Sequence, residues 1–197
     1  MKSTLFAVLM LAVSSVFAAD TFWRIDVSPI KDNMAPVSPV ETEMAKPRHP
    51  EWEKDEAKKA AALIYQSKKA LPAGEWTTCE ITFKAEGNGK TYVNLSGGWA
   101  KEVKDRTWVY IRNVKVNGES YKGNGDLKKV WKEKKNGDRF IPSGFWMNVK
   151  AKYLEDFEGA PAILCNYDSK LILNIDLTEG TTYVVSCEMK PAPTPAE

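Results

Sequence analysis

From residue 75 onward apolar side chains return at every second position, and this alternation decides the fold class. Thr77, Cys79, Ile81 and Phe83 alternate with Thr78, Glu80, Thr82 and Lys84. Successive side chains of a strand point to opposite faces, so the pattern buries one face of a sheet and wets the other. Gly87, Asn88 and Gly89 then supply a tight turn, and residues 92–95 continue as a strand. Further strands are expected over 107–116, 145–149, 162–165, 171–177 and 182–189. Asn117-Gly118 closes the first of these, and Glu179-Gly180 folds the last two into a hairpin. The stretch 118–144, with Gly118, Gly123, Gly125, Gly137, Pro142 and Gly144, reads as turns. The expected fold is mainly β: a jelly-roll β-sandwich of seven or eight strands with one N-terminal helix. The sequence has no βαβ repeat, no G-x-G-x-x-G run and no P-loop, which argues against a doubly wound nucleotide-binding sheet.

Upstream of the strands three zones follow one another. Residues 1–18 carry Lys2, an apolar run over 5–13 and small residues before Ala18, the pattern of a cleavable signal peptide. A membrane span needs about 20 apolar residues, so no integral span is expected. The expected location is periplasmic or extracellular. Residues 19–50 hold a strand-like stretch over 22–27, then Pro29, Pro36, Pro39, Pro47 and Pro50. Proline at that spacing forbids regular helix, so the segment reads as a linker or an ordered strap. Residues 51–70 read as the helix, with Pro50 at its start, acids in its first turns and lysines in its last. The helix and the sandwich are taken as one unit over 51–190, followed by a Pro-rich tail over 191–197.

The net charge of +2 gives no reason to expect nucleic acid as a partner. The densest basic run, Lys128, Lys129, Lys132, Lys134 and Lys135 around Val130, Trp131 and Glu133, reads as a solvated loop or short helix. A polyanion site is the lesser reading, because a patch needs a matching field from the rest of the surface. Cys79, Cys165 and Cys187 sit in apolar or alternating contexts and read as small buried hydrophobes. An exported chain permits one disulfide among them, with one thiol left over. With His49 the single histidine, neither a Cys/His metal site nor a Cys-His nucleophile is supported. Adjacent acids such as Glu155, Asp156 and Glu158 read as solvated charge, and no G-x-S-x-G run is present, so no catalytic residue is expected.

Several segments together resemble one family. Residues 75–83, beginning Glu75-Trp76 and ending at Phe83, resemble the W-to-F strand of galactose-binding-like carbohydrate-binding modules. Trp108-Val109-Tyr110-Ile111-Arg112-Asn113-Val114 resembles their closing strand, Gly123-Asn124-Gly125-Asp126-Leu127 their opening one, and Pro142-Ser143-Gly144-Phe145-Trp146 their P-x-G-W step. Gly180-Thr181-Thr182-Tyr183, with Ser186 and Lys190, is similar to their G-T-T-Y strand. The halves come in the reverse order, so the resemblance implies a circularly permuted module, which is cheap when termini lie close together. Many such modules hold a structural Ca²⁺. Here Lys128 and Arg112 stand where acids are usual and Asp126 alone makes no oxygen cage, so neither metal nor cofactor is expected.

The resemblance implies a non-catalytic carbohydrate-binding protein. The alternative is an envelope structural or protein-interaction module that has lost its sugar site. Sugar binding needs flat aromatic faces with polar groups beside them. Among the seven Trp residues, Trp99 in a Gly-rich loop and Trp131 among lysines are the best candidates. Trp108, Tyr110 and Arg112 share a strand face opposite Val109 and Ile111, with Asn113 beside them. That row either stacks on a polysaccharide or is covered by the helix. Trp76 reads as a plug at one end of the core, and Trp146 as either core or surface.

Overall fold

The computed structural model describes residues 20–29, 37–40, 63–134 and 139–195. The alternation is realised as strands throughout. They are β1 (Trp23–Pro29), β2 (Val37–Pro39), β3 (Leu63–Gln66), β4 (Thr77–Ala85), β5 (Gly89–Gly97), β6 (Trp108–Val116) and β7 (Glu119–Ser120). They continue with β8 (Val130–Glu133), β9 (Arg139–Pro142), β10 (Trp146–Met147), β11 (Lys152–Phe157), β12 (Ala160–Cys165), β13 (Leu171–Leu177) and β14 (Thr182–Ala192). One antiparallel sheet runs β10-β13-β5-β1-β3. A second runs β11-β12-β6-β14-β4-β2, with the short β7 on β6. β8 and β9 form a hairpin of their own.

Both sheets turn their apolar faces into one core, the arrangement of a β-sandwich. The first contributes Ile25, Val27, Leu63, Tyr65, Val93, Leu95, Leu171 and Leu173. The second contributes Cys79, Ile81, Phe83, Val109, Ile111, Val185, Cys187 and Met189. Fully burying an aliphatic side chain stabilises by about 1.5–3 kcal/mol, so this alternation is the main term holding the layers together. Both sheets contain strands from before and after residue 120: β13 pairs with β5 in the first, and β6 lies between β12 and β14 in the second.

Several expectations need correction. Among the described residues there is no α-helix, and the expected helix over 51–70 is contradicted at its C-terminal end. Leu63–Gln66 is strand, with Leu63 and Tyr65 buried and Ile64 and Gln66 on the other face. Pairing with β1, Val27 against Leu63 and Arg24 against Gln66, overrides the helix propensity of this Ala/Lys-rich segment. Residues 51–62 lie outside the described residues, as does the proposed signal peptide. The strand count also exceeds seven or eight, because short, polar strands such as β2, β8 and β11 lack a long alternating run. The strand-like stretch at 22–27 is no strap: β1 sits inside the first sheet, paired on both sides.

The Glu179-Gly180 turn does not make a hairpin. β13 and β14 belong to different sheets, and so do β4 and β5 around Gly87-Asn88. These two corners hold each other: the Ala85 amide donates to the Thr181 carbonyl at 2.9 Å, Gly180 donates to the Ala85 carbonyl at 2.8 Å, and the Glu179 amide donates to Asn88 Oδ1 at 3.0 Å. Asn117-Gly118 does close a hairpin, β6 to β7, with both residues at positive φ (52° and 79°) as a type I′ turn requires.

Candidate functional site

β6 carries four of the residues expected to bind. Val109 and Ile111 enter the core, which puts Trp108, Tyr110 and Arg112 on the outer face. After Arg112 the strand gains one residue against β14: Arg112 faces Glu188, whereas Lys115 faces Ser186. Asn113, at φ 52°, absorbs this bulge and lets Val114 return to the core. The bulge also aims Asn113 sideways. Its Nδ2 donates to Glu188 Oε2 at 2.9 Å, and Arg112 Nε donates to the same oxygen at 2.7 Å.

Around these lies an aromatic cluster that the sequence did not announce. Trp76 lies outside the core on the same face, and the Arg112 guanidinium sits 3.8 Å above its ring. Phe157, at the end of β11, stacks on Tyr110 at 3.9 Å between centroids and meets Trp76 edge-on at 6.1 Å. The β11–β12 turn, Glu158-Gly159 with both φ positive, presents Glu158 to this cluster. Trp76 Nε1 donates to Glu158 at 2.9 Å and Lys190 pairs with it. These hydrogen bonds, Lys190's first, hold the Glu158 carboxyl below its ordinary range. Each of these rings and charges has a partner inside the cluster.

Trp99 stands elsewhere. Its amide donates to Gln66 Oε1 at 3.2 Å, beside a charged group on the outer face of the first sheet. There Arg24 and Asp26, 1% and 2% exposed, are bonded through Arg24 Nε to Asp26 Oδ2 at 3.0 Å. Lys170 Nζ approaches the same carboxylate at 3.8 Å. The Tyr167 ring lies 4.3 Å from Lys170 Nζ and 5.1 and 5.2 Å from the Arg24 and Arg106 guanidiniums, and Arg106 pairs with Asp168. Burial lowers the Lys170 ammonium pKa, an effect that Asp26 partly offsets, and burial raises the Tyr167 phenol. Asp26 Oδ1 lies 2.8 Å from Arg24 Nε without hydrogen-bond geometry, and neither it nor Ser96 Oγ makes a hydrogen bond among the described residues.

Trp131 occupies a third place, on β8. The β8–β9 hairpin closes one side of the sandwich, reaching strand β10 at the edge of one sheet and β11 at the edge of the other. Arg139 fixes it, donating to the Met147 and Asn148 carbonyls at 3.1 and 2.7 Å and to Glu133 at 2.6 Å. On the other side Phe140 lies 6.4 Å from the Tyr153 ring. The buried Asn124 side chain staples the base of the hairpin, donating to the carbonyls of Lys129 and Ser143 and accepting from the Lys129 amide. Gly125 must be glycine here, since a Cβ would stand 1.9 Å from the Val114 carbonyl oxygen. The segment resembling an opening strand therefore acts as a buckle. Asp126 within it pairs with Lys128, and among the described residues no three His, Cys, Asp or Glu side chains gather as a metal would require.

Among the described residues, this edge carries the exposed aromatic rings. Trp131 and Phe140 are each 48% exposed and Trp146, on β10, is 63% exposed. Sequence reasoning found Trp131, left Trp146 open and missed Phe140. The alternation in Arg139-Phe140-Ile141-Pro142 was the available signal, hidden because the basic run before it reads as a loop. The structure thus brings Tyr110, Arg112 and Asn113 together, places Trp108 on their face, and sets Trp99 and Trp131 apart. Compared with known proteins, the chain matches no protein-family model, no curated protein and no solved structure.

Proposed function

We propose that this protein is a non-catalytic glycan-binding module that works outside the cytoplasm, and that the β8–β9 edge is its binding surface. The observation that carries the reading is the exposure of Trp131 and Trp146 on strands held from both sides of the sandwich, with Phe140, which pairs with Lys132, on the opposite face of the hairpin from Trp131. Rings that are exposed yet mounted on fixed strands lose little entropy when a sugar's C–H face covers them. The rings around Tyr110 serve less well, because Arg112, Phe157 and Trp76 already cover one another. A jelly-roll module of the galactose-binding-like kind, permuted in order, is the architecture this reading takes. Its support is the set of sequence matches and the antiparallel sandwich, and the signal-peptide pattern supports export.

The test is retention of the full-length chain on insoluble polysaccharides and on a glycan array, repeated with Trp131→Ala and Trp146→Ala. Both variants should lose at least about tenfold in affinity, the loss of about 1.4 kcal/mol that one stacked ring is worth, with unchanged circular dichroism. Trp76→Ala should retain binding. If the wild-type chain retains no glycan, the carbohydrate reading falls and the envelope-interaction reading takes its place.

A further inference from the structure

The charge of this protein is not evenly spread. Residues 122–152 contain nine Lys and Arg against three Asp and Glu, an excess of six in a chain whose whole net charge is +2. The remainder of the chain is therefore net acidic. In the sequence alone the basic run before residue 135 reads as ordinary solvated charge, since nothing there places other cations beside it. The fold supplies them. The middle of the run is strand β8, paired with β9, and β9 contacts both β10 and β11. Lys150 and Lys152 lie in the short link between β10 and β11 and at the start of β11, both exposed. Lys122 arrives from the opposite direction, its side chain packed against Gly144 just beyond β9.

The described acids of this region are already engaged. Glu133 holds Arg139 at 2.6 Å and Asp126 holds Lys128 at 3.2 Å. Lys129 and Lys134 are exposed on either side of Trp131. Trp131 and Trp146 thus have exposed lysines along the chain on either side of them, whereas Phe140, beside Tyr153, lies near the carboxylates of Glu155 and Asp126. An exposed ring with cations around it suits a ligand that has an apolar face and an anionic edge, and disfavours a positively charged one.

We infer that the glycan taken by this edge is acidic: a polysaccharide whose units carry carboxylates or sulfates, stacked on Trp131 and Trp146 and neutralised by Lys129, Lys134, Lys150 and Lys152. The inference rests on the glycan-binding reading and adds the charge of the ligand. Stacking fixes the sugar ring, while the lysines act as point charges at the rim. Such rim contacts speed encounter and weaken in salt, because screening shortens to about 8 Å at physiological ionic strength.

The experiment measures binding of the full-length chain to three probes: polygalacturonate, a neutral β-glucan, and double-stranded DNA as a plain polyanion. Each is measured at about 50 mM and about 300 mM NaCl, across a range where screening changes strongly. The expected result is preference for polygalacturonate over the neutral glucan by at least about tenfold, with affinity falling several-fold at the higher salt. Lys150→Gln/Lys152→Gln should lower polygalacturonate affinity and flatten its salt dependence. Trp131→Ala should lower polygalacturonate affinity and leave any DNA binding unchanged. Equal binding of neutral glucan, insensitive to salt, overturns the inference while leaving the glycan-binding reading intact. Retention of no glycan of either charge defeats both. DNA bound as tightly as polygalacturonate, with Trp131→Ala without effect on either, overturns the inference in favour of a generic polyanion surface.

Discussion

Asp26 should be among the most sensitive positions in the chain, although it faces away from the apolar core. Its carboxylate is 2% exposed and lies against the guanidinium of Arg24, itself 1% exposed, with Lys170 Nζ at 3.8 Å. Asp26→Ala leaves the buried Arg24 with the neutral Gln66 Oε1 at 3.4 Å and the Tyr167 ring at 5.1 Å, and leaves Lys170 facing a like charge. Removing one partner of a buried pair costs about 3–5 kcal/mol, because the remaining charge is left in a poorly solvating site. For a chain of this size that corresponds to a fall in Tm of about 6–20 °C. Arg24→Met/Asp26→Leu removes both charges and should recover most of the loss, since a well-packed apolar pair is often as stable as the buried ion pair. Urea unfolding of wild type, both single variants and the double variant closes a double-mutant cycle, with an expected coupling of at least about 2 kcal/mol. An Asp26→Ala cost below about 1 kcal/mol would refute the reasoning. It would mean that the group is well hydrated and behaves like a surface pair.

The three thiols give a pH prediction. Burial pushes Cys79 and Cys165 up to about 12 and raises Cys187 as well, while an unfolded thiol ionises near about 8.5. Because the folded values lie above the unfolded one, the thiols add no pH dependence below about 8.5, and stability falls as pH rises beyond it. The slope is about 1.4 kcal/mol per pH unit for each thiol. Urea midpoints between pH 8 and pH 10 should show this slope in wild type and a flatter one in Cys79→Ala/Cys165→Ala; identical slopes would contradict it. The bulge at Asn113 gives another prediction. Its φ of 52° strains any branched side chain, so Asn113→Val should cost about 1–2 kcal/mol, and Asn113→Gly should cost less despite losing the bond to Glu188. Equal losses in thermal unfolding would show that the hydrogen bond, and not the backbone, sets the cost.

The fold class was legible because burial on one side of a sheet writes itself into every second residue. Cys79, Ile81 and Phe83 enter the core as their alternation requires, and so do Leu171, Leu173 and Ile175. What the alternation does not carry is the identity of the neighbouring strand. Glu179-Gly180 looks like a hairpin turn, yet it passes the chain from one sheet to the other, since both exits leave an alternating strand on either side. Leu63–Gln66 shows the opposite failure. Its local preference is helical, and only the unsatisfied edge of β1 makes it a strand, information held about forty residues away in the chain. In β6 the sequence did contain the bulge: apolar residues fall at 109 and 111 and then at 114 and 116, and the broken period marks the extra residue.

The same logic sorts the candidate site. Tyr110 and Arg112 could be assigned to an outer face by parity, whereas Trp76, expected as a plug of the core, lies outside it, and parity does not say whether a face stays open. Phe157 comes from another strand to cover Tyr110, and Arg112 turns onto Trp76, so the residues best placed by pattern are spent on each other. Trp131 had the weaker pattern, standing in a short strand among lysines, and it remains exposed because the hairpin that carries it has no further strand to pair with. A sandwich must end somewhere on each side. At this edge the last strands, β10 and β11, are short or polar, and a charged hairpin covers the gap between them. Lysine on an edge blocks pairing with another sheet, while an exposed ring on the same edge invites a ligand that is not a strand. The lysines disfavour β-augmentation here, and that is the physical ground on which the proposed glycan reading is tied to the way the fold closes.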